Sequence, residues 1–210
     1  MDNGETSISA WSGSRSEMWA PRFMTTEHHA WSGQRLTIRP VQRNDGPLFR
    51  AFLDSIDQEN LQMRMMGAMR EISEAHIRRV VKADHVRDVS FVAVAAGGEP
   101  RFVGAVEAHF ECNESANFAV LVSSGMQRQG IGTLLMDKLV RYCRERGISR
   151  IDGETTPYNI GMIALARRLG FQIAWSPAKH ATELVLEFGQ SCPRLDQVRE
   201  SRPLDATRSG

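Results

Sequence analysis

Ala119-Val120-Leu121-Val122-Ser123-Ser124-Gly125-Met126-Gln127-Arg128-Gln129-Gly130-Ile131-Gly132-Thr133 runs from an apolar strand through a short polar turn and a glycine pair into the opening of a helix. The helix continues to Gly147, with Ile131, Leu135, Leu139 and Tyr142 on one stripe at helical spacing. Such a turn leaves the first backbone N–H groups of the helix without internal partners, and the helix dipole adds partial positive charge there. Gly130 and Gly132 have no side chain to keep an anion at a distance, so a diphosphate can lie against the bare amides, with Arg128 as a mobile cation beside it. A dinucleotide-binding turn needs a longer three-glycine form and a Walker turn needs Gly-Lys-Ser/Thr, and neither is present. The same glycine pair also suits a tight turn that packs a helix closely on a sheet. The turn alone leaves both readings open.

The flanking pattern is regular. Upstream, 89–96, 101–110 and 115–122 read as strands, with Gly97-Gly98 joining the first two and Cys112-Asn113-Glu114 turning the chain into the third. Before them, Leu36-Thr37-Ile38-Arg39-Pro40 alternates like a strand. Asp45 can cap a helix carrying Leu48, Phe49, Phe52, Leu53 and Ile56. A short helix with Leu61, Met65 and Met66 is expected next, then one opened by Ser73 with Ile77, Val80 and Val81 on one face. Met63, Met65, Met66 and Met69 serve either as core filler or as a plastic binding surface. Downstream, 148–155 reads as a strand and 159–169 as a helix with Met162, Leu165, Ala166 and Leu169 inward; strands at 171–175 and 183–187 close the domain. The order βαααβββαβαββ predicts a mixed α/β layer fold.

Residues 1–33 lack a sustained apolar period and are expected to be a disordered leader; 34–188 form the domain and 189–210 a disordered tail. Ala-Trp-Ser-Gly occurs at 10–13 and again at 30–33, as a chance duplication or as a docking motif. With 210 residues and a formal net charge of +1, the chain offers no global field for nucleic acid, so an anionic ligand must be held by local geometry. It has no apolar run of membrane-spanning length and no signal-peptide layout. Cys112, Cys143 and Cys192 fit neither a disulfide framework nor a metal cluster. A cytoplasmic protein with no metal and no membrane or nucleic-acid partner is the expectation, as monomer or homodimer.

The turn matches the Gln/Arg-x-x-Gly-x-Gly/Ala signature of the GNAT acyltransferases, and Pro157-Tyr158-Asn159 and Leu169-Gly170-Phe171 match that superfamily's Asn-containing helix start and Leu-Gly-Phe exit. The resemblance covers about residues 35–188. Several pieces further resemble the GNAT domain of Pat-type protein lysine acetyltransferases: Leu36–Pro40, Ile56 to Met65, Ala83-Asp84 with Arg87-Asp88, Asn117–Val122, Gly153-Glu154 and Leu165–Phe171. The resemblance implies a mostly antiparallel central sheet flanked by helices and splayed between its fourth and fifth strands. It also implies a stand-alone catalytic domain using acetyl-CoA as acyl donor. Gln127, Arg128, Gln129, Gly130, Ile131, Gly132 and Thr133 would cradle its diphosphate, and Asn159 would lie nearby. The pantetheine arm would pair with the backbone of Leu121 and Val122, and the acyl carbonyl would accept a hydrogen bond from the Leu121 amide.

Amine acylation by direct attack needs a neutral amine, close approach, and stabilisation of charge developing on the carbonyl oxygen. A proton acceptor is therefore required. In many relatives it is a Glu on the strand before the turn, where this chain has Asn117, which can orient water but cannot accept the proton. The usual general-acid Tyr is replaced by Ala166, as the resemblance to the Pat-like branch implies. Glu154 and Glu107 are the candidate substitutes, Glu107 because burial between apolar neighbours tunes a carboxylate toward proton transfer. Glu114 sits in a turn, and His109 is an ordinary strand histidine unless recruited. The expected function is acetyl transfer to an amine, with a lysine of a partner protein among the candidates. The alternative is a catalytically weak acyl-CoA-binding sensor that has lost its base.

Overall fold

The computed structural model describes residues 25–57, 73–111 and 114–189. The strands are β1 (Thr26–His29), β2 (Arg35–Pro40), β3 (Asp88–Ala95), β4 (Arg101–Glu111), β5 (Ser115–Val122), β6 (Arg150–Thr155), β7 (Gln172–Ser176) and β8 (Ala181–Glu187). The described helices, numbered here in chain order, are α1 (Gly46–Asp54), α2 (Glu74–Val81), α3 (Ile131–Glu145) and α4 (Ile160–Arg168). The expected helix around Leu61–Met66 and the methionine cluster lie outside the described residues.

One eight-stranded sheet runs in the order β1-β2-β3-β4-β5-β6-β8-β7. Every neighbouring pair is antiparallel except β5 and β6. On one face α1 and α2 bury Phe49, Phe52, Leu53, Ile77 and Val80 against Val92, Phe102, Ala105 and Leu121. On the other, α3 places Ile131, Leu135, Met136, Leu139 and Cys143 in a core with Leu36, Phe91 and Val106, which α4 extends through Ala166. The alternation predicted for the strands sets these faces: on β5, Phe118 and Val122 join the α3 side and Leu121 the α1 side. Burial pushes the Cys143 thiol up to about 12, which makes it a core residue and not a nucleophile.

Two local expectations are corrected. Residues 26–29 lie inside the segment assigned to a disordered leader, yet they pair with β2 from Thr26↔Ile38 to His29↔Arg35, so the sheet begins before residue 34. Asp45 stands at the N-cap of α1, but its side chain does not cap the helix. Instead it accepts two hydrogen bonds from Arg39, at 2.6 and 2.9 Å, and one from the Gln42 amide at 2.7 Å. Burial pushes the Asp45 carboxyl up; the Arg39 and Gln42 hydrogen bonds outweigh that and hold it below the usual carboxylate range.

Candidate functional site

β5 pairs with β4 along its whole length but with β6 only at Ser115↔Arg150, Ala116↔Ile151 and Asn117↔Asp152. Beyond Asn117 the two parallel strands part. A residue pair marks where they part. The Phe118 ring lies on Gly153, where an added β-carbon would stand 2.6 Å from a ring carbon, and it packs on Phe171 with centroids 5.5 Å apart. Only glycine fits at 153 beneath that ring. Counted from β2, where the expected sheet began, β5 and β6 are the fourth and fifth strands, so the splay falls where the resemblance implies.

The parted strands open a cleft of about 760 Å³ at their C-terminal ends, between the N-termini of α3 and α4. Its walls are Phe118–Val122, the turn before α3, and Thr155, Asn159, Met162 and Leu165. The two helix starts differ. Asn159 caps α4, accepting from the Met162 amide at 3.1 Å and donating to Thr155 Oγ1 at 3.0 Å. Gly130 is the N-cap of α3, in the left-handed region at φ 81, and no side chain caps that helix. The α3 amides therefore remain available to a ligand. Arg128 also takes a left-handed backbone, at φ 59, a conformation that costs a non-glycine residue on the order of 1 kcal/mol. Gln127 Nε2 is buried without a hydrogen-bond partner among the described residues. An uncapped helix start, an unpaired strand edge and an orphaned amide donor fit an acyl-CoA, whose diphosphate and amide-bearing arm need such groups.

Leu121, Val122, Gln127, Arg128, Gly130, Ile131, Gly132, Thr133 and Asn159 all line this cleft, as do Asn117 and Glu154. Gln129 does not. Its carbonyl accepts from the Trp31 amide at 3.1 Å and its side-chain oxygen from the Ser32 amide at 2.9 Å, so it anchors the N-terminal segment.

Strand alternation puts Asn117, Asp152, Glu154, Glu107 and His109 on the face that α1 and α2 cover. Asn117 donates from Nδ2 to Asp152 at 3.0 Å. Glu154 accepts from Lys179 at 2.7 Å, and Lys179 also pairs with Glu183 at 3.0 Å. The hydrogen bonds and charges of Glu154 and Glu183 hold the Lys179 ammonium above its ordinary range. Glu107 lies outside the main cleft, in a second pocket of about 290 Å³ that shares the wall Asn117–Ala119. His76 Nε2 stands 3.3 Å from Glu107 Oε1. The same pocket contains Ser90, 2% exposed, whose Oγ has no hydrogen-bond partner among the described residues. His109 pairs with Asp88 at 2.9 Å.

Asp152 carries no motif signal in the sequence, although it stands two residues before Glu154 on the same strand face. His76 escapes sequence reasoning because a histidine in the first turn of a short helix gives no local sign of a partner on a distant strand.

The acetyltransferase (GNAT) family model matches residues 52–171. An acetyltransferase of Pseudomonas aeruginosa is 28% identical over 156 residues, which cover 71% of this chain and 84% of that one. The GNAT domain of S. lividans PAT superposes with a TM-score of 0.72 at 21% identity, covering 80% of this chain and 99% of that one. A cAMP-binding acyltransferase from Mycobacterium smegmatis superposes with a TM-score of 0.54 at 19% identity, over 84% of this chain and 50% of that one. At these identities the two structures speak for the fold alone.

Proposed function

Because this chain belongs to the GNAT acetyltransferase family, we propose that it transfers an acetyl group from acetyl-CoA to a primary amine, with a protein lysine as one acceptor class. The observation that carries the proposal is the parting of β5 from β6 immediately after Asn117, beside an α3 start that no side chain caps. Acetyl-CoA, when bound, supplies a thioester already activated toward amines. The chain supplies the rest. Gly130, Gly132 and Arg128 hold the diphosphate, Gln127 offers a donor, and the open edge of β5 positions the arm.

In this proposal the amine enters from the smaller pocket, across the Asn117–Ala119 wall, where Glu107, Asp88 and Glu111 outweigh Arg79 and favour a cation. Glu107, backed by His76, takes the ammonium proton directly or through water. The amine nitrogen bonds to the acyl carbon, the carbon–sulfur bond breaks, and the departing thiolate takes up the proton that the nitrogen sheds and leaves as the thiol. Asn117, tied to Asp152, orients the amine or a water. Glu154 is the second candidate acceptor, but Lys179 already occupies one of its oxygens. That pair is closer than the one His76 makes with Glu107, 2.7 Å against 3.3 Å, which makes Glu107 the stronger choice. Measuring thiol release from acetyl-CoA over amines and lysine-containing proteins tests the proposal. Amine-dependent release supports it, whereas coenzyme binding with no release for any acceptor would leave a sensor.

A further inference from the structure

One copy of the repeated tetrapeptide falls within the described residues. Ala30-Trp31-Ser32-Gly33 follows β1 and crosses to the turn that opens α3. Its backbone is fixed on both sides: Ala30 N donates to Gln34 O at 2.9 Å and Gly33 N to Ala30 O at 2.8 Å, while Trp31 and Ser32 both donate to Gln129. Ala30 is buried, yet Trp31 is 70% exposed. The ring nevertheless lies against the turn. A β-carbon on Gly130 would stand 2.9 Å from Trp31 Nε1 and 3.0 Å from Cε2, so the indole rests directly on the cradle glycine, and it lines the cleft with Arg128.

A large aromatic ring on a braced backbone, exposed and touching the phosphate-binding glycine, offers a rigid flat surface at low entropic cost. The geometry points to Trp31 as a stacking platform for the purine base of the donor nucleotide. This rests on the acyl-CoA reading above and adds a residue outside the family's signature to the recognition of the nucleotide end. The base lies a few bonds beyond the diphosphate, and the indole begins where the cradle ends. Stacking on an aromatic side chain suits such a position because it needs no hydrogen-bond complement from the protein.

The test uses the full chain and two probes, acetyl-CoA and S-acetylpantetheine, which keeps the reactive arm and lacks the nucleotide. Removing a stacking ring typically weakens binding by about 5- to 150-fold. W31A is expected to lose about that much affinity for acetyl-CoA, W31F to keep most of it, and turnover of S-acetylpantetheine to be the same in all three proteins. Coenzyme A should also quench a component of the wild-type fluorescence that is missing in W31F. Equal acetyl-CoA affinity in wild type and W31A overturns the inference while leaving the acyltransferase reading intact. A parallel loss for both probes overturns it too, in favour of packing. Failure of the wild type to bind acetyl-CoA removes both readings. Should W31A fail to fold, W31L and W31F decide: leucine fills space but cannot stack, and equal affinities for the two would end the proposal.

Discussion

Gly130 and Gly132 stand two residues apart in one turn, and alanine at each should act in opposite directions on stability while weakening coenzyme binding at both. At Gly132 the backbone is helical, and an added β-carbon would meet Leu165 at 3.4 Å and Val122 at 3.7 Å, ordinary contact distances. Ala there restricts the unfolded chain without strain, which is worth about 0.4–1 kcal/mol, or a rise in melting temperature of about 1–4 °C for a domain of this size. The same methyl group stands in the cleft wall where the diphosphate is proposed to approach the α3 amides. Losing one charge-assisted amide contact costs about 1.5–3 kcal/mol, so the acetyl-CoA dissociation constant should rise by about 10- to 150-fold. At Gly130 the φ of 81 penalises any β-carbon by about 1–2 kcal/mol, and the methyl would press on Trp31 at 2.9 Å. Gly130→Ala should therefore lower the melting temperature and weaken binding together. Scanning calorimetry and isothermal titration on the two variants separate the effects. If Gly132→Ala is stabilised and binds acetyl-CoA as tightly as wild type, the diphosphate does not approach this backbone and the cradle assignment is wrong.

Glu107→Gln should reduce amine-dependent turnover by about 10²–10⁴-fold at unchanged acetyl-CoA affinity, the usual cost of a lost general base, whereas Glu154→Gln should cost much less; steady-state kinetics showing the reverse order would return the role to Glu154. A chain spanning 34–189 removes β1 and the indole together and should be less stable and weaker for acetyl-CoA than one spanning 25–189, as thermal melts and titration would show. Asp45→Asn leaves Arg39 without its carboxylate and should destabilise the fold by about 2–4 kcal/mol at neutral pH in urea titrations. Because the folded Asp45 carboxyl lies below its ordinary value of 3.8, its stabilisation is complete above about pH 4 and is lost as pH falls through the folded value. Wild type and Asp45→Asn should therefore converge in stability on acidification, and a constant gap down to pH 2 would contradict the assignment.

The elements with a buried face are legible in the sequence because burial writes a period into it. Ile131, Leu135 and Leu139 mark α3, and the alternation along β3 to β5 tells which residues turn to which side of the sheet. β1 leaves no such trace. Thr26-Glu27-His28-His29 is an edge strand held by backbone pairing, and none of its residues is fully buried, so there is no apolar period to read. The coenzyme end of the candidate site is carried by local spacing, from Gln127 to Thr133. Its chemical end is not, because the partners of Glu107 and Glu154 come from α2 and from the hairpin turn at Lys179, distant in sequence and close only through the fold. Gln129 shows the limit of motif reading within the turn itself. It lies inside the signature at one of its variable positions, and it spends both its carbonyl and its side chain on Trp31 and Ser32.

The Phe118–Gly153 contact behaves as the stop on a zipper. Three rungs of the parallel ladder close and a ring lies over the residue that would begin the fourth, so the contact marks one end of the gap, well away from the turn before α3. Throat and handle can then change independently. On the proposed function, a different side chain at 118 would reshape the throat where the acyl group would sit, while leaving the glycine turn that would hold the nucleotide unchanged. On that proposal, acyl-chain preference and coenzyme affinity are two separate adjustments on one sheet.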